Sequence, residues 1–367
     1  MEAKKHYIPM DFLRFFCALY VVFLHLVGSV VLPSNLIYLG EQVAYVGFYP
    51  VVDAWVYYGW IGVPIFFTIS GFVISISAAR CVSAVDFIVD RGLRILPALW
   101  ICTSISVVAL FFMAPDLSVF ELFLRFCRSV VLFPAGPYVD GVVWTLVVEV
   151  VFYLYCFLLI LLFGKEKVAY LAYFLLAGSA VYYGVSWFVV DSPAWFGQLA
   201  RKAVFEHGSF FAIGMLMARC NRFKDLMRLS PFMLIGMFIS YFQIEDSVEY
   251  IYDRYGDYGA SDSSSIPYMI WFVACLVIPL QVQTANKALH YVARQVGLMT
   301  YPLYLIHSLL GRKMYVEFSG GDMAVTMRLI YTIISVVFVA FLVSRYLEPL
   351  VKRWVQGMGL VHYLRKL

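Results

Sequence analysis

The stretch MDFLRFFCALYVVFLHL, residues 10–26, has the apolar composition of a membrane-spanning helix but contains Asp11, Arg14 and His25. A charged side chain at the centre of a bilayer costs at least ~2.5 kcal/mol on insertion scales, so such groups normally have partners and a function. In a helix, Arg14 and His25 would be about three turns and ~16 Å apart, on the same side. Asp11 lies one turn before Arg14, where an ion pair would offset the burial of both charges.

These residues also have purely structural interpretations. Asp11 and Arg14 could lie at the membrane interface, with the arginine extending to water. His25 lies deeper and has no sequence neighbour that would satisfy its ring nitrogens, so a structural buried histidine is the weaker alternative. The face of the helix that carries Arg14 and His25 is therefore the first candidate functional surface.

The composition of the whole chain assigns the protein to the polytopic membrane class. Of 367 residues, 63% are hydrophobic and only 14% are charged, whereas soluble domains carry about 25% charged residues. The net charge is +4, and the basic residues are scattered between apolar runs. This pattern argues against a nucleic-acid partner. The seven cysteines have no ligand spacing, so neither a disulfide framework nor a metal site is indicated.

Ten apolar stretches have roughly the length that a spanning helix needs, about 17–25 residues. The predicted spans are 9–32, 60–79, 95–114, 140–163, 168–189, 203–220, 231–245, 266–283, 297–315 and 325–347. The first follows Lys4 and Lys5 as a signal peptide would, but no cleavage site follows it, so we expect a retained helix.

Lysine and arginine are enriched in cytoplasmic loops, and this rule sets the expected orientation. Most of the 27 basic residues fall on one side of the membrane when the N-terminus is placed in the cytoplasm. We therefore expect an all-α, polytopic integral membrane protein with about ten transmembrane helices and both termini cytoplasmic. Residues 1–367 are expected to form a single integral membrane domain with no appended soluble domain.

A second group of polar residues lies in GVVWTLVVEVVFYLY, residues 141–155. Glu149 and Tyr153 are four residues apart, so they share one helix face. A carboxylate inside the membrane indicates a functional site with a partner on another helix, and His25 and Arg14 are the expected partners. The alternative is a structural pair of Glu149 with one of them, which only locks two helices together.

Two further stretches break the apolar pattern, GVPIFFTISGFVIS (62–75) and GLMTYPLYLIHSLL (297–310). Ser70 and Gly71 in the first are small residues that allow helices to approach closely. Ser70 has no base beside it in sequence, so packing is the more natural interpretation than a nucleophile. Tyr301, Tyr304 and His307 in the second are three residues apart in turn, and they are either aromatic packing or site residues.

The basic stretch DRGLRILPALW, residues 90–100, lies between the predicted second and third spans. Arg91 and Arg94 are one turn apart at the expected cytoplasmic mouth, and Pro97 falls in the start of the following helix. They are either an ordinary positive cytoplasmic loop or a binding site for a phosphorylated cytosolic ligand.

Six motifs occur in a fixed order: Arg14-x10-His25, FFTISGF, RGLRILP, WTLVVEVVFY, YPLYLIH and YLEPLVKR (346–353). Together they resemble the membrane acyltransferase-3 family, which O-acylates exported and surface carbohydrates. The family implies about ten transmembrane helices, with a cytoplasmic acyl-CoA donor, acetyl-CoA in the first instance. It also implies a carbohydrate or lipid-linked saccharide acceptor on the outer side. Val150 departs from the pattern, because many members have a second acidic residue there.

The resemblance also implies roles for the matching residues. His25 is expected to act as general base on the acceptor hydroxyl or to be transiently acylated. Glu149 would orient and polarise His25, and Arg14 would stabilise the thioester or the developing oxyanion. The expected donor-binding residues are Arg14, Ser70, Arg91 and Arg94, and the expected substrate contacts are Tyr153, Tyr301, Tyr304 and His307. No metal is expected.

Acceptor sugars could stack on outer aromatic residues, although such residues equally form interfacial belts. They are Tyr45, Tyr49, Trp55, Tyr57, Tyr58, Trp60 and the loop 250–258. Membrane lipid is the expected surrounding, in a bacterial plasma (inner) membrane, and the sequence leaves a homo-oligomer open. The alternative from another class is a transporter or flippase, which would be expected to show internal repeats and matched helix breaks. Neither is visible in the sequence.

Overall fold

The computed structural model describes residues 7–31, 55–188, 201–220, 222–255, 264–282, 286–318 and 325–359, together with 197, 361, 363 and 365. Within these ranges the regular elements are helices. Seven segments there are long and apolar enough to cross a membrane: Ile8–Val27, Trp55–Arg80, Ala84–Met113, Gly141–Phe163, Lys165–Trp187, Phe223–Ile251 and Thr326–Gly357. This confirms an all-helical, polytopic membrane protein.

The described residues form thirteen α-helices, numbered in chain order. They are α1 Ile8–Val31, α2 Gly62–Arg80, α3 Ala84–Met113, α4 Val119–Val130, α5 Trp144–Phe163, α6 Leu171–Phe188, α7 Gly208–Met217, α8 Phe223–Tyr255, α9 Ser265–Val277, α10 Lys287–Ile306, α11 Leu309–Glu317, α12 Val325–Leu342 and α13 Glu348–Gly357. Short 3-10 segments at Tyr58–Ile61, Gly141–Val143 and Lys165–Tyr170 precede α2, α5 and α6, and a π-helical turn at Val343–Leu347 joins α12 to α13.

Helix α3 begins well before the predicted start of the third span, so the expected loop around Arg91 and Arg94 is wrong. The side chain of Ser83 accepts a hydrogen bond of 3.0 Å from the backbone N–H of Asp86 and caps the helix. Such a cap satisfies one of the free N–H groups of a helix start. Arg91 and Arg94 therefore lie on the helix, about two turns from its start, and Pro97 lies inside it.

Three other predicted spans differ in length from the helices observed. The predicted spans 203–220 and 266–283 contain only α7, with 10 residues, and α9, with 13. The predicted span 231–245 lies within α8, whose 33 residues continue into the tyrosine-rich stretch that was expected as a loop. Hydropathy alone misses these limits because it measures lipid compatibility and not where backbone hydrogen bonds end.

The predicted span 297–315 is divided. Helix α10 ends at Ile306, a turn follows at His307 and Ser308, and α11 begins at Leu309. The carboxylate of Asp140, which is 3% exposed, accepts a hydrogen bond of 2.9 Å from the backbone N–H of Leu309. This contact satisfies one of the N–H groups that a helix start leaves free. The break places His307 at the end of α10 and not on a continuous helix face.

Helix α7 is the most enclosed element, because all ten of its residues are buried. It packs against α2 at two glycines. A Cβ on Gly71 would lie 2.1 Å from the carbonyl oxygen of Phe211, and a Cβ on Gly214 would lie 2.0 Å from that of Thr68. Small residues permit this approach, which is how membrane helices gain packing contacts. The pair holds the Ser70 region of α2 rigidly beside α5.

Candidate active site

Helix α1 carries polar groups at two depths, and each is the centre of a cluster. The Arg14 cluster contains Arg14, Ser70, Arg91, Glu149 and Tyr153. The His25 cluster contains His25, Asp140, His307 and Arg312. The helical rise separates Arg14 from His25 by ~16 Å along α1. The expected site residues are therefore divided between two levels of the helix bundle.

The Glu149 carboxylate is the acceptor at the centre of the Arg14 cluster. One of its oxygens, Oε1, accepts hydrogen bonds of 2.5 Å from the Ser70 hydroxyl of α2 and from the Tyr153 hydroxyl one turn further along α5. Tyr153 is 3% exposed, so its hydroxyl is held in a buried position. Hydrogen bonds to an ionised carboxylate are about twice as strong as neutral ones. These contacts fix the carboxylate between α2 and α5.

Arginines from two further helices surround this carboxylate. Arg14 and Arg91 both interact electrostatically with Glu149. Both also feel the charge of Arg94, which is exposed. Arg91 donates a hydrogen bond of 3.2 Å to the hydroxyl of Ser77. The Nε atoms of Arg14 and Arg91 are buried and have no hydrogen-bond partner among the described residues. The cluster therefore keeps donor capacity beyond what its own carboxylate uses.

A small cavity of about 70 Å³ opens inside the Arg14 cluster, with Arg14, Ser70, Glu149, Tyr301 and Tyr304 in its wall. Ligand pockets usually measure about 300–1,000 Å³, so this conformation leaves room for only a small part of a substrate. The Tyr301 hydroxyl donates a hydrogen bond of 3.2 Å to the carbonyl oxygen of Ile95 on α3. The structure thus brings two of the three expected tyrosines of α5 and α10 to this cavity.

Among the described contacts, His25 lies against His307, whereas Glu149 lies against Ser70 and Tyr153. The predicted pairing of His25 with Glu149 is not among these contacts. His25 Nδ1 lies 3.0 Å from His307 Nε2 and 3.1 Å from the carbonyl oxygen of Val21. Asp140 and Arg312 are charged groups that act on His25. The reason is depth: Glu149 lies five residues inside α5, about 8 Å along its axis, whereas Asp140 immediately precedes the 3-10 turn that leads into α5.

His307 lies behind His25. It is 0% exposed, and its Nδ1 lies 2.8 Å from the carbonyl oxygen of Tyr304. The two imidazole rings have centroids 5.0 Å apart and are tilted by 53°. His307 has no exposed surface in this structure, and its expected role as a substrate contact stays a prediction.

A large cavity of about 770 Å³ lies at the His25 end of α1, within the usual size of a ligand pocket. Its wall combines aromatic, acidic and basic side chains: Trp60, Trp144, Tyr183, Arg201, Glu206, His207, Gln243, Asp246, Tyr250 and Arg312, besides His25 itself. The large and small cavities have Val63, Phe67 and Tyr304 in common. The Tyr304 hydroxyl, held by a hydrogen bond of 3.1 Å from Thr145, therefore stands between the two clusters.

The sequence analysis missed Asp140, Glu206, Asp246 and Arg312. A signal existed for Asp140, because an aspartate before glycine at the start of a span is typical of a helix cap. The other three are single charges beside apolar stretches, where the sequence does not distinguish a charge in a cavity from one in a loop. Of the outer aromatic residues expected to stack on sugars, Trp60 and Tyr250 line the large cavity. Tyr45, Tyr49 and residues 256–258 lie outside the described residues.

Comparison with known proteins identifies the relatives of this chain. The chain is similar to nodulation protein 10 of Rhizobium leguminosarum bv. viciae, with 31% identity over 176 residues, 42% of this chain and 44% of that protein. It is also similar to the exopolysaccharide production protein ExoZ of Rhizobium meliloti (strain 1021), with 39% identity over 91 residues, 24% of this chain and 28% of that protein. The chain thus spans less than half the length of either relative. No solved structure matches it.

The family comparison covers nearly the whole chain. The family described as "Acyltransferase domain" matches residues 8–345, which run from the first residue of α1 to the π-helical turn after α12. Both clusters and both cavities lie within the matched residues. The chain therefore belongs to the acyltransferase-3 family.

Proposed function

We propose that this protein is a membrane O-acyltransferase that moves an acyl group, acetyl in the first instance, from acyl-CoA to a hydroxyl of an exported or surface carbohydrate. Family membership supports acyl transfer as the reaction. The name of one relative, an exopolysaccharide production protein, supports a carbohydrate acceptor. Their rhizobial sources support a bacterial inner membrane as the location.

One observation carries the proposal. His25 lines the large cavity, and that cavity shares Phe67 and Tyr304 with the small cavity that Arg14 and Glu149 line. A base and a cluster of guanidinium groups therefore line two cavities that share wall residues, at two levels of the bundle. A transfer between substrates that enter from opposite sides of a membrane needs such an arrangement.

The Arg14 cluster is the proposed donor end. Guanidinium groups bind phosphate and carbonyl oxygens through directed N–H donors, and the buried Nε atoms of Arg14 and Arg91 have donors to spare among the described residues. Arg94 is exposed on the same helix as Arg91 and suits the phosphates of CoA. Because the small cavity measures about 70 Å³, the thioester would reach it only with some movement of the lining tyrosines.

The large cavity is the proposed acceptor end. Its aromatic side chains, among them Trp60 and Trp144, offer faces for sugar rings, and Glu206 and Asp246 offer acceptors for sugar hydroxyls. In the reaction, the acceptor oxygen forms a bond to the thioester carbon, and the carbon–sulfur bond breaks. His25 takes the hydroxyl proton and returns it to the CoA thiolate. Arg14 lies ~16 Å from His25 along α1, so its role is to hold the acyl-CoA thioester at the donor end before the transfer.

The test uses the purified protein in lipid nanodiscs with radiolabelled acetyl-CoA and longer acyl-CoAs, combined with mass spectrometry of cell-surface glycans. We expect label to pass to a carbohydrate acceptor, and we expect His25→Ala to reduce that transfer by at least about 100-fold, since general base catalysis contributes about 10²–10⁴-fold. His290→Ala, on α10 and outside both clusters, is the matched control and should keep its activity.

Two results would contradict the proposal. Full activity of a well-folded His25→Ala variant would exclude His25 as the base. Absence of transfer and hydrolysis with every acyl-CoA, together with unchanged surface glycans, would favour a transporter instead.

A further inference from the structure

We infer that His307 is a positioning residue that fixes His25 in a single tautomer, with the proton on Nδ1 and the lone pair on Nε2. The structural part of this inference stands by itself, and its catalytic consequence rests on the proposed function. No motif or comparison assigns a role to the contact between these two rings. The hydrogen-bond pattern around them decides the assignment.

Three of the contacts around the two rings show where the ring protons lie when both imidazoles are neutral. His307 Nδ1 faces the carbonyl oxygen of Tyr304 at 2.8 Å, and a carbonyl can only accept. His307 therefore carries its proton on Nδ1, and its Nε2 is an acceptor. That acceptor faces His25 Nδ1 at 3.0 Å, so His25 must donate from Nδ1.

The carbonyl oxygen of Val21 gives a second, independent reason for the same assignment. It lies 3.1 Å from His25 Nδ1 and also requires a donor there. In the opposite assignment, His307 would donate from Nε2. Two ring nitrogens without protons would then face carbonyl oxygens, at 2.8 Å and 3.1 Å. Buried polar atoms that face each other without a proton lose the hydrogen bond and keep the cost of desolvation.

The chain also holds the ring of His307 in place. His307 is 0% exposed and lies at the turn between α10 and α11. Asp140 fixes that turn through its hydrogen bond to the N–H of Leu309. Rotation of the His307 ring would break its bond to Tyr304 without offering water in exchange. His25, which lines the large cavity, thus receives its orientation from a buried neighbour on another helix.

For the proposed reaction, this arrangement gives His25 a defined basic atom. The proton on Nδ1 is held by His307 and Val21, so Nε2 is the nitrogen that accepts a proton from the acceptor hydroxyl. A buried carboxylate serves this purpose in hydrolytic triads. Here a neutral imidazole and a backbone carbonyl serve it, which avoids a further buried charge in the membrane.

The first experiment reads the tautomer without any substrate. The full-length protein is labelled with ¹⁵N-histidine in nanodiscs, and the His25 signals are assigned by their loss in His25→Asn. We expect Nδ1 to be protonated and Nε2 unprotonated in the wild type at neutral pH. We expect a smaller population with Nδ1 protonated in His307→Leu, which removes one of the two acceptors and leaves the carbonyl oxygen of Val21. A wild-type His25 protonated on Nε2, or an unchanged tautomer in His307→Leu, would overturn the inference.

The second experiment measures acyl transfer. His307→Leu should lower kcat about tenfold or more while KM for acyl-CoA stays unchanged, since only the base is disturbed. His307→Gln should recover part of the lost kcat, because its amide offers both an N–H donor and a carbonyl acceptor. His290→Gln is the control. An equal loss in the Leu and Gln variants would contradict the positioning role. A correct wild-type tautomer without any acyl transfer would contradict the proposed function and leave the tautomer assignment standing.

Discussion

At the scale of single residues, Glu149 shows how a charge is accommodated inside the bundle. A single carboxylate oxygen receives the hydroxyls of Ser70 and Tyr153 at 2.5 Å, while Arg14 and Arg91 balance its charge. Three helices other than α5 thus contribute a group to one carboxylate. An ionised group inside a membrane persists only with such partners.

Tyr153→Phe should therefore destabilise the protein by about 1.5–3 kcal/mol, the usual worth of a hydrogen bond to a charged group. The substitution keeps the ring, which contacts Phe87 edge to face with centroids 6.5 Å apart, and removes only the donor. Thermal unfolding in detergent measures the change.

Tyr155→Phe is the matched control on the same helix. Its hydroxyl donates a hydrogen bond of 3.2 Å to the carbonyl oxygen of Ala203, a neutral acceptor. We expect a loss of about 0.5–1.5 kcal/mol for this variant. An equal loss of stability in both variants would show that the hydrogen bond from Tyr153 to the Glu149 carboxylate is no stronger than the one from Tyr155 to a backbone carbonyl.

At the scale of elements, α2 and α7 form a very close helix contact, as the distances from an added Cβ at their glycines show. Gly71 and Gly214 each remove a Cβ that would strike the backbone of the partner helix. α7 has only ten residues, a length of about 15 Å, and does not reach across a hydrocarbon core of about 30 Å. Its stability must therefore come from its neighbours and not from lipid.

Gly71→Ala should separate α2 from α7, because the added Cβ would lie 2.1 Å from the carbonyl oxygen of Phe211. A backbone atom can move away only if the whole helix shifts. Overpacking of this kind costs about 1–3 kcal/mol. We expect a lower thermal transition and a lower yield of monodisperse protein.

Gly184→Ala is the control for this pair, since nothing lies within 4 Å of its added Cβ. It lies on α6 and should be neutral or stabilising by up to about 1 kcal/mol, because alanine favours the helix over glycine. A Gly71→Ala variant as stable as Gly184→Ala would show that the two helices separate without cost.

At the scale of the whole molecule, charges that the sequence assigns to one side of the membrane do meet at one end of the bundle. Arg365 and Asp90 form an ion pair of 2.6 Å, and Lys165 donates a hydrogen bond of 3.0 Å to the carbonyl oxygen of Cys81. With the N-terminus in the cytoplasm, the predicted spans place Arg201 and Arg312 on the outer side, and both line the large cavity with His25. The bundle thus has two chemically different ends.

The orientation of these ends can be measured with two variants that each add one cysteine to the seven native ones. Asp116→Cys, in the exposed turn between α3 and α4, should react with a membrane-impermeant maleimide added to spheroplasts. Lys224→Cys, exposed at the start of α8, should react only in inside-out vesicles, because the positive-inside rule places it in the cytoplasm. The wild type, in which Cys81, Cys127 and Cys220 are partly exposed, gives the background labelling. The reverse pattern would invert the proposed donor and acceptor sides.

The class of the protein and most of its spans follow from the sequence, because lipid compatibility depends on composition over about 20 residues. The residue types of the site follow as well. Arg14, His25 and Glu149 stand out because an ionisable group in an apolar stretch is costly wherever the helix packs. Helix ends follow less well: α3 starts at a serine cap, which hydropathy does not register.

Only the tertiary structure decides which of these groups meet. The sequence places Glu149 and His25 on separate helices and favours opposite charges as partners. The packing of α5 instead puts Glu149 at the level of Arg14, and the turn after α10 brings His307 to His25 at 3.0 Å. Contact between helices depends on their relative depth and rotation. Depth and rotation are set by contacts between residues far apart in the chain. Examples are the close approach of Gly71 to the backbone of Phe211 and the hydrogen bond from the N–H of Leu309 to Asp140.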